Sequence, residues 1–557
     1  MGYDLKPLKA PRTAGNVLRV LTAAAESSLT GGALADKFLA DIGVVTLRQT
    51  VIDEPPTFLP PVHATSPRKG KAKQPAVEPA GPNHESFPFE TAYDFVRAYK
   101  SGRCTPLQVA ERVLAWTSES DRKDPAMRIF IAQSRDDLLA QAEASAARYR
   151  DGNPLGPLDG VPIAVKDELD QAGYRTTVGT SFLGRSKASE DAEPVARLRR
   201  AGALLIGKAN MHEIGMGVTG LNPHHGPARN PYLPSRATGG SSSGSAAAVA
   251  AGFCPIAVGA DGGGSIRIPS SLCGVVGLKP TFSRVSEHGA APLCWSLAHV
   301  GPIAVSARDA ALAFSVMAGP DPKDPQTLAQ PPVDFHDWEN GDLSGLRIGV
   351  YWPWFNDAEA DVVRLGKQLL ETLTEAGAEL REISVSGLSL LRTAHLVTIA
   401  SEMVTSNMHD MARDSAAYGN DVRVNLSLAS RLRSSDYVQA QRVRTQICRQ
   451  FATLFEQVDL IATPTTGCTA PELMPDALET GDSNLTLADR IMRFSLAANL
   501  TGVPGISLPA GYDYQGLPVG LQLMAAPFEE VSLLRVALVA EARVARRLPR
   551  VHSSLLE

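Results

Sequence analysis

Ala237-Thr-Gly-Gly-Ser-Ser-Ser-Gly-Ser-Ala-Ala-Ala-Val-Ala-Ala-Gly252 runs straight into Phe253-Cys-Pro-Ile-Ala-Val-Gly-Ala-Asp-Gly-Gly-Gly-Ser-Ile-Arg-Ile-Pro269, and the fold turns on how this stretch is read. Gly239 and Gly240 allow a tight backbone turn just before Ser241. The Ala-rich run from Ser245 to Ala251 predicts a buried helix, with Ser241 to Ser243 at its N-terminus. Pro255 to Ala260 predicts a short buried strand that ends in Asp261. Gly262, Gly263 and Gly264 carry no side chains, so their N–H groups can converge with that of Ser265 on one oxygen. An oxyanion hole needs such donors, aimed at charge that develops only in the transition state. Ile266 to Pro269 then returns to an extended, apolar pattern.

Three competing readings fall away. Residues 241 to 260 carry no charged side chain and are long enough for a membrane span, but Gly252 and Pro255 interrupt a run of mostly small residues. Gly240-Ser-Ser-Ser-Gly244 spells the nucleophile elbow of the α/β-hydrolases, which requires a strand immediately before it; Asn230 to Thr238, with two prolines, is not one. Gly262 to Gly264 as a phosphate cradle lacks the Walker lysine, and the apolar pattern after it predicts no helix.

A third participant lies upstream, in Leu158-Asp-Gly-Val-Pro-Ile-Ala-Val-Lys-Asp-Glu-Leu-Asp170. Val161 to Val165 is a short apolar strand and Lys166 stands at its end. Alone, such a lysine is an ordinary surface residue. Beside two serine turns it becomes a candidate base, because a serine hydroxyl needs one to act as a nucleophile and Ser-Lys arrangements serve that purpose. Lys166 can accept a proton only when neutral, whereas a free lysine titrates near 10.4. Burial away from opposite charge would favour the neutral amine, so the adjacent Asp167 is expected to point elsewhere.

Together these motifs resemble the amidase signature family. Gly239 to Gly252 is similar to its Gly/Ser-rich signature, Asp261 to Pro269 to its nucleophile loop, and Gly160 to Asp167 to its lysine strand. The resemblance implies a Ser–Ser–Lys triad: Ser265 as nucleophile, Ser241 as bridging serine after a cis peptide bond, and Lys166 as base. It also implies an oxyanion hole of the Gly262, Gly263, Gly264 and Ser265 amides, and places Met216 in the acyl pocket, although a plain core methionine fits that position as well. Asp261 and Arg267 are expected to brace the loop. No cofactor and no metal is expected; His212, His224 and His225 supply no convincing ligand set.

The remaining chain bounds the reading. With 557 residues, 44% hydrophobic and 20% charged, it can bury a large core and hold more than one domain. A net charge of −5 gives no argument for nucleic acid. Six cysteines without C-x-x-C spacing predict buried free thiols in a reducing, cytoplasmic setting. No basic segment followed by a continuous apolar core opens the chain. Val17, Leu18, Leu21 and Ala25 predict one amphipathic helix, and Leu34, Phe38 and Ile42 another, split by Thr30-Gly-Gly32. They either pack on the main domain or cap a hydrophobic channel and touch a membrane surface.

The expected organisation is an N-terminal helical cap over 1–63, a Pro/Ala/Lys-rich linker over 64–85 and a catalytic domain over 86–557. In that domain Thr105-Pro106 opens a helix. Strands are expected at 203–207, 346–351, 379–385, 459–463, 505–509 and 518–524, with helices at 89–101, 192–201 and 362–376 and one after the last strand. The fold class is α/β: a large mixed sheet surrounded by helices, with an N-terminal helical extension.

Further motifs narrow the resemblance. Gly207 to Gly217, Ala462 to Gly467 with Thr469 to Pro471, Asn499 to Ser507, Ala10 to Gly15 and Thr50 to Pro56 look like the plant-type fatty acid amide hydrolases. That branch implies hydrolysis of small-molecule amides with long acyl chains, N-acylethanolamines among them, by a homodimer with peripheral membrane contact. The N-terminal helices here are Ala-rich rather than strongly apolar. A general or short-chain amidase, or an amidotransferase A-type subunit, shares the same triad.

Overall fold

The computed structural model describes residues 2–62, 73–74 and 87–557. Eleven short stretches, most of them rich in Val, Ile, Leu and Ala and the edge strand Glu379–Glu382 charged, pair into one mixed sheet. In chain order they are β1 (Phe130–Ala132), β2 (Pro162–Lys166), β3 (Leu204–Ala209), β4 (Ile256–Ala260), β5 (Val276–Lys279), β6 (Val300–Ala304), β7 (Arg347–Val350), β8 (Glu379–Glu382), β9 (Leu460–Pro464), β10 (Gly505–Tyr512) and β11 (Pro518–Ala525). Across the sheet they run β1-β3-β2-β4-β6-β5-β10-β11-β9-β7-β8. β2 lies parallel to β3 and β4, and β7 parallel to β9 and β8. The other pairs are antiparallel. β2, β3 and β4 are buried at every residue. Helices cover both of their faces, which is why these strands are continuously apolar rather than alternating.

Sequence patterning placed most of these elements within a few residues. Thr105 caps Pro106–Arg122 in a reciprocal capping box with Gln108. Two departures are informative. Arg267–Leu272 is helical, not extended. The Asp261 carboxylate accepts from the Ile266 and Arg267 amides and starts the turn, and Pro269 sits in the first turn, where its missing N–H costs nothing. The long helices Leu388–Asp414 and Ser434–Gln457 carry no strong sequence signal. They are amphipathic only over part of their length, and they pack on each other to build a second apolar core with Trp354, Phe451 and Phe494.

The N-terminal segment forms three helices, Gly15–Glu26, Gly31–Asp41 and Val44–Gln49. Thr30-Gly-Gly32 begins the second rather than separating it from the first. Val17 was expected on the buried face with Leu18, yet it is 64% exposed while Leu18 is fully covered. The helix docks through a narrower stripe of Leu18, Thr22 and Ala25. Leu18, Ala25 and Ala35 pack on Val424 and Leu428 of Asn420–Ala429. Thr13–Ala14 adds an antiparallel bridge to Asp482–Ser483, and Arg48 pairs with Asp436 at 2.7 Å. Among the described residues no helix is long and apolar enough to cross a membrane. The stretch at 64–85 lies outside the described residues except for 73 and 74.

Candidate active site

β2 and β4 are parallel neighbours with Val165 opposite Val258, so their carboxyl ends lie side by side. Lys166 ends the first, and Ala260 ends the second before the chain enters Asp261 to Ser265. The helix Ser243–Ala250 precedes β4 and is joined to it by a short turn, so it runs back along the strand and returns its N-terminal serines to the same edge. Its small residues permit a close approach, and all eight are buried. A Cβ on Gly244 would stand 2.4 Å from the Asn210 nitrogen and from the Ile129 oxygen.

Lys166 Nζ donates to Ser241 Oγ at 2.8 Å and to the Ala260 carbonyl at 3.1 Å, with the lysine 1% exposed. The Gly240–Ser241 peptide is cis. The neighbouring serines are tied to backbone: Ser242 Oγ to Ala260, Ser243 Oγ to the Asn210 carbonyl, Ser245 Oγ to the Val258 carbonyl. Ser241 is therefore the serine that Lys166 reaches. Ser265 lines the same cavity as Lys166 and Ser241, and its carbonyl accepts from the Ser242 amide at 3.3 Å.

Asp167 turns away, as expected: its carboxylate accepts from the Thr177 hydroxyl and the Thr177 and Gly179 amides, and faces Lys208 at 3.1 Å. Lys166 is nonetheless not free of opposite charge. Glu168 Oε2 lies 2.7 Å from its Nζ, with both side chains buried. The strand ends at Lys166 and the chain turns through Asp167 and Glu168, with the Leu169 amide bonded to the Lys166 carbonyl, and this turn brings the Glu168 side chain back onto the amine.

The glycine loop is held from behind. Arg267, fully buried, donates from Nε and Nη2 to Asp261, from Nη1 to the Ser495 carbonyl and Gln522, and from Nη2 to Asn499. Burial would push the Asp261 carboxyl up, but the charge and hydrogen bonds of Arg267, with Lys279 and Asn499, hold it well below the usual carboxylate range. Both residues thus brace the loop. His395 Nε2–H donates to the Gly262 carbonyl at 2.9 Å and Ser495 Oγ to the Gly263 carbonyl at 2.7 Å, which turns both carbonyls outward. Burial lowers the His395 imidazole to about 4, so it is neutral near pH 7. One expected donor is taken: the Gly264 amide bonds Asp261 Oδ1 at 2.6 Å, because the same carboxylate that caps the following helix also reaches back into the loop. Of the expected set, the Gly262, Gly263 and Ser265 amides are the ones this carboxylate does not take up.

A cavity of about 220 Å³ opens on Lys166, Ser241, Gly262, Gly263 and Ser265. Met216 lines it, as do Leu396, Ile399 and Met492 from distant segments and Phe38 and Ile42 from the N-terminal helices. Ile214, also in the wall, holds φ at +43°, a conformation that β-branched residues rarely adopt. His212 reaches this wall beside Asp421, 3.4 Å away, whereas His224 pairs with Glu213 at 2.8 Å. His225 bonds the Thr180 carbonyl. All six cysteines are free, and Cys294 borders the cavity. His395, Ser495 and Met492 come from chain positions with no local motif, so no sequence pattern marks them.

The sequence profile of the Amidase family matches residues 111–534. The chain is 40% identical to the fatty acid amide hydrolase of Oryza sativa subsp. indica, over 97% of this chain and 94% of that one. It is 37% identical to the fatty acid amide hydrolase of Arabidopsis thaliana, again over 97% and 94%. Among solved structures it is similar to the crystal structure of an amidase, with a TM-score of 0.72 and 32% identity over 82% of this chain and all of the other.

Proposed function

The chain belongs to the amidase family, an amide-hydrolysing enzyme, and we propose that it cleaves long-chain fatty acid amides such as N-acylethanolamines through Lys166, Ser241 and Ser265. The carrying observation is the composition of the cavity beside these residues: its lining is mainly apolar and includes Phe38 and Ile42 of the N-terminal segment, with Asp421, Asn425, Asp482 and Asn484 among its polar members. Transfer of an acyl chain into such a lining is favourable by about 0.8 kcal/mol per methylene.

In the proposed sequence neutral Lys166 accepts the Ser241 proton while Ser241 takes that of Ser265. Ser265 Oγ attacks the amide carbon, and the Gly262, Gly263 and Ser265 amides receive the developing oxyanion. The proton returns through Ser241 to the leaving nitrogen. The free amine departs and leaves an acyl-enzyme, which water hydrolyses by the same relay. The reading extends to a homodimer, which light scattering would test. It extends also to peripheral membrane contact through the exposed Val17, Val20 and Leu29, which vesicle flotation of a Val17→Asp, Val20→Asp variant would test.

The deciding measurement is kcat/KM on ethanolamides from two-carbon to twenty-carbon acyl chains, with Ser265→Ala as the blank. Values that climb with chain length are expected. A flat or falling series would refute the long-chain assignment and leave a general amidase.

A further inference from the structure

Four backbone amides follow Asp261, and they divide by where they point. The Gly264 N–H bonds Asp261 Oδ1 at 2.6 Å. The Gly262, Gly263 and Ser265 amides have no acceptor among the described residues, and these three residues line the cavity while Gly264 does not. N–H groups left open on a cavity are ready donors for an oxygen that arrives there.

Their aim is set from the other side of the loop. Every peptide from Asp261 to Ser265 is trans, so each N–H points opposite to the carbonyl in its own plane. Fixing the carbonyl therefore fixes the amide. The Asp261 carbonyl accepts from Asn499 Nδ2 at 2.9 Å, which sets the Gly262 N–H. The Gly262 carbonyl accepts from His395 Nε2 at 2.9 Å, which sets the Gly263 N–H. The Gly264 carbonyl accepts from the Ile268 amide at 2.6 Å, which sets the Ser265 N–H. Asn499 and His395 are fully buried and neither lines the cavity. Asn499 also bonds the Asp261 carboxylate and Arg267, and Ile268 belongs to the following helix. His395 differs: its Nδ1 has no partner among the described residues, so the hydrogen bonding of its ring serves the Gly262 carbonyl alone. The ring packs directly on the loop, its Cε1 3.0 Å from where a Cβ on Gly263 would stand.

We propose that His395 is a positioning residue for the oxyanion: its bond to the Gly262 carbonyl holds the Gly262–Gly263 peptide with its N–H toward the cavity. The inference rests on the triad reading above. Glycine on both sides leaves this peptide free to rotate about its flanking bonds. Without the anchor it can turn its oxygen toward the developing charge, which repels an oxyanion instead of binding it. Donation to the carbonyl also polarises the peptide and strengthens its N–H as a donor. The oxyanion exists only once Ser265 has attacked, so the effect falls on the transition state and spares the bound amide.

The test compares His395→Leu, which removes the donor, with His395→Gln, which keeps one. The measurements are kcat and KM on the ethanolamide cleaved fastest, the Ki of the trifluoromethyl ketone with the same acyl chain, and the Kd of the uncleaved ethanolamide in the Ser265→Ala background. In the ketone adduct Ser265 Oγ bonds the carbonyl carbon, the π pair becomes the oxyanion, and the serine proton leaves through Ser241. Removing an oxyanion donor outright costs about 100- to 1000-fold in kcat. Loosening one should cost about tenfold, with Ki raised by the same factor and KM and Kd held within about twofold. Glutamine should restore kcat and Ki to within about threefold of wild type. Unchanged kcat and Ki in the leucine variant, a Kd that weakens as much as the Ki, or a glutamine variant as impaired as the leucine one overturns the proposal. His395→Phe keeps a ring without the donor and decides in the same way if the leucine variant does not fold. A wild-type enzyme that forms no ketone adduct on Ser265 would overturn the triad reading, whereas an adduct on Ser265 with any contrary result overturns this inference alone.

Discussion

Asp261→Asn isolates the device that holds the oxyanion loop. The wild-type carboxylate accepts from the Gly264, Ile266 and Arg267 amides, from Arg267 Nε and Nη2, and from Asn499 Nδ2. Asparagine has the same outline but only one acceptor oxygen. If that oxygen keeps the Gly264 and Arg267 Nη2 bonds, the new NH₂ faces the Ile266 and Arg267 amides and Arg267 Nε, donor against donor. It also strips the fully buried Arg267 of its counter-charge, and breaking a buried pair by removing one partner costs about 3–5 kcal/mol. Urea unfolding followed by circular dichroism, with the m-value checked against wild type, should show a loss of about 4 kcal/mol, and Ser265 labelling should slow sharply. A loss under about 1 kcal/mol with normal labelling would refute the argument that this carboxylate organises the loop. The pH sign follows from the same geometry: a carboxyl held below its unfolded value contributes stability that is present above the unfolded pKa of about 3.9 and lost only as pH falls through the folded one. Acidification to pH 5 should therefore leave this bracing intact.

Ser265→Ala should abolish acyl-enzyme formation seen by mass spectrometry, and Lys166→Ala should depress acylation strongly near neutral pH; wild-type rates in either would sink the triad. His395 is lowered from about 6.5 to about 4, so the unfolded chain binds its proton first as pH falls; stability should drop by about 3 kcal/mol between pH 6.5 and 4, and His395→Gln, which keeps a donor for the Gly262 carbonyl, should flatten that part of the stability-versus-pH curve. Phe38→Ala should lower kcat/KM for a twenty-carbon ethanolamide by about fourfold for each methylene of lost contact and leave a two-carbon substrate unaffected, as a chain-length series would report.

Local chemistry was sufficient for the parts of this protein that are contiguous in sequence. Glycines before Ser241, the Ala-rich helix, the apolar strands ending in Lys166 and Ala260, and the three glycines before Ser265 each follow from a short-range rule about backbone freedom or burial. Their assembly was only what the family resemblance implied; it is the sheet that sets β2 beside β4 and so brings Lys166 to Ser241. The helix at Arg267–Leu272 escaped notice because β-branched residues favour an extended chain, and only the Asp261 carboxylate, folded back over the turn, overrides that preference. The remaining features depend on tertiary structure alone. Glu168 meets Lys166 because Asp167 is drawn off by Thr177, Gly179 and Lys208. His395, in the helix Leu388–Asp414, and Ser495, in the turn before the helix Leu496–Thr501, reach the glycine loop from more than 130 residues away in sequence. Phe38 and Ile42 join the cavity because the N-terminal helices dock on the long helices of the second core. Such contacts arise from packing between distant segments, where burial and complementary shape rather than local propensity decide which side chains meet.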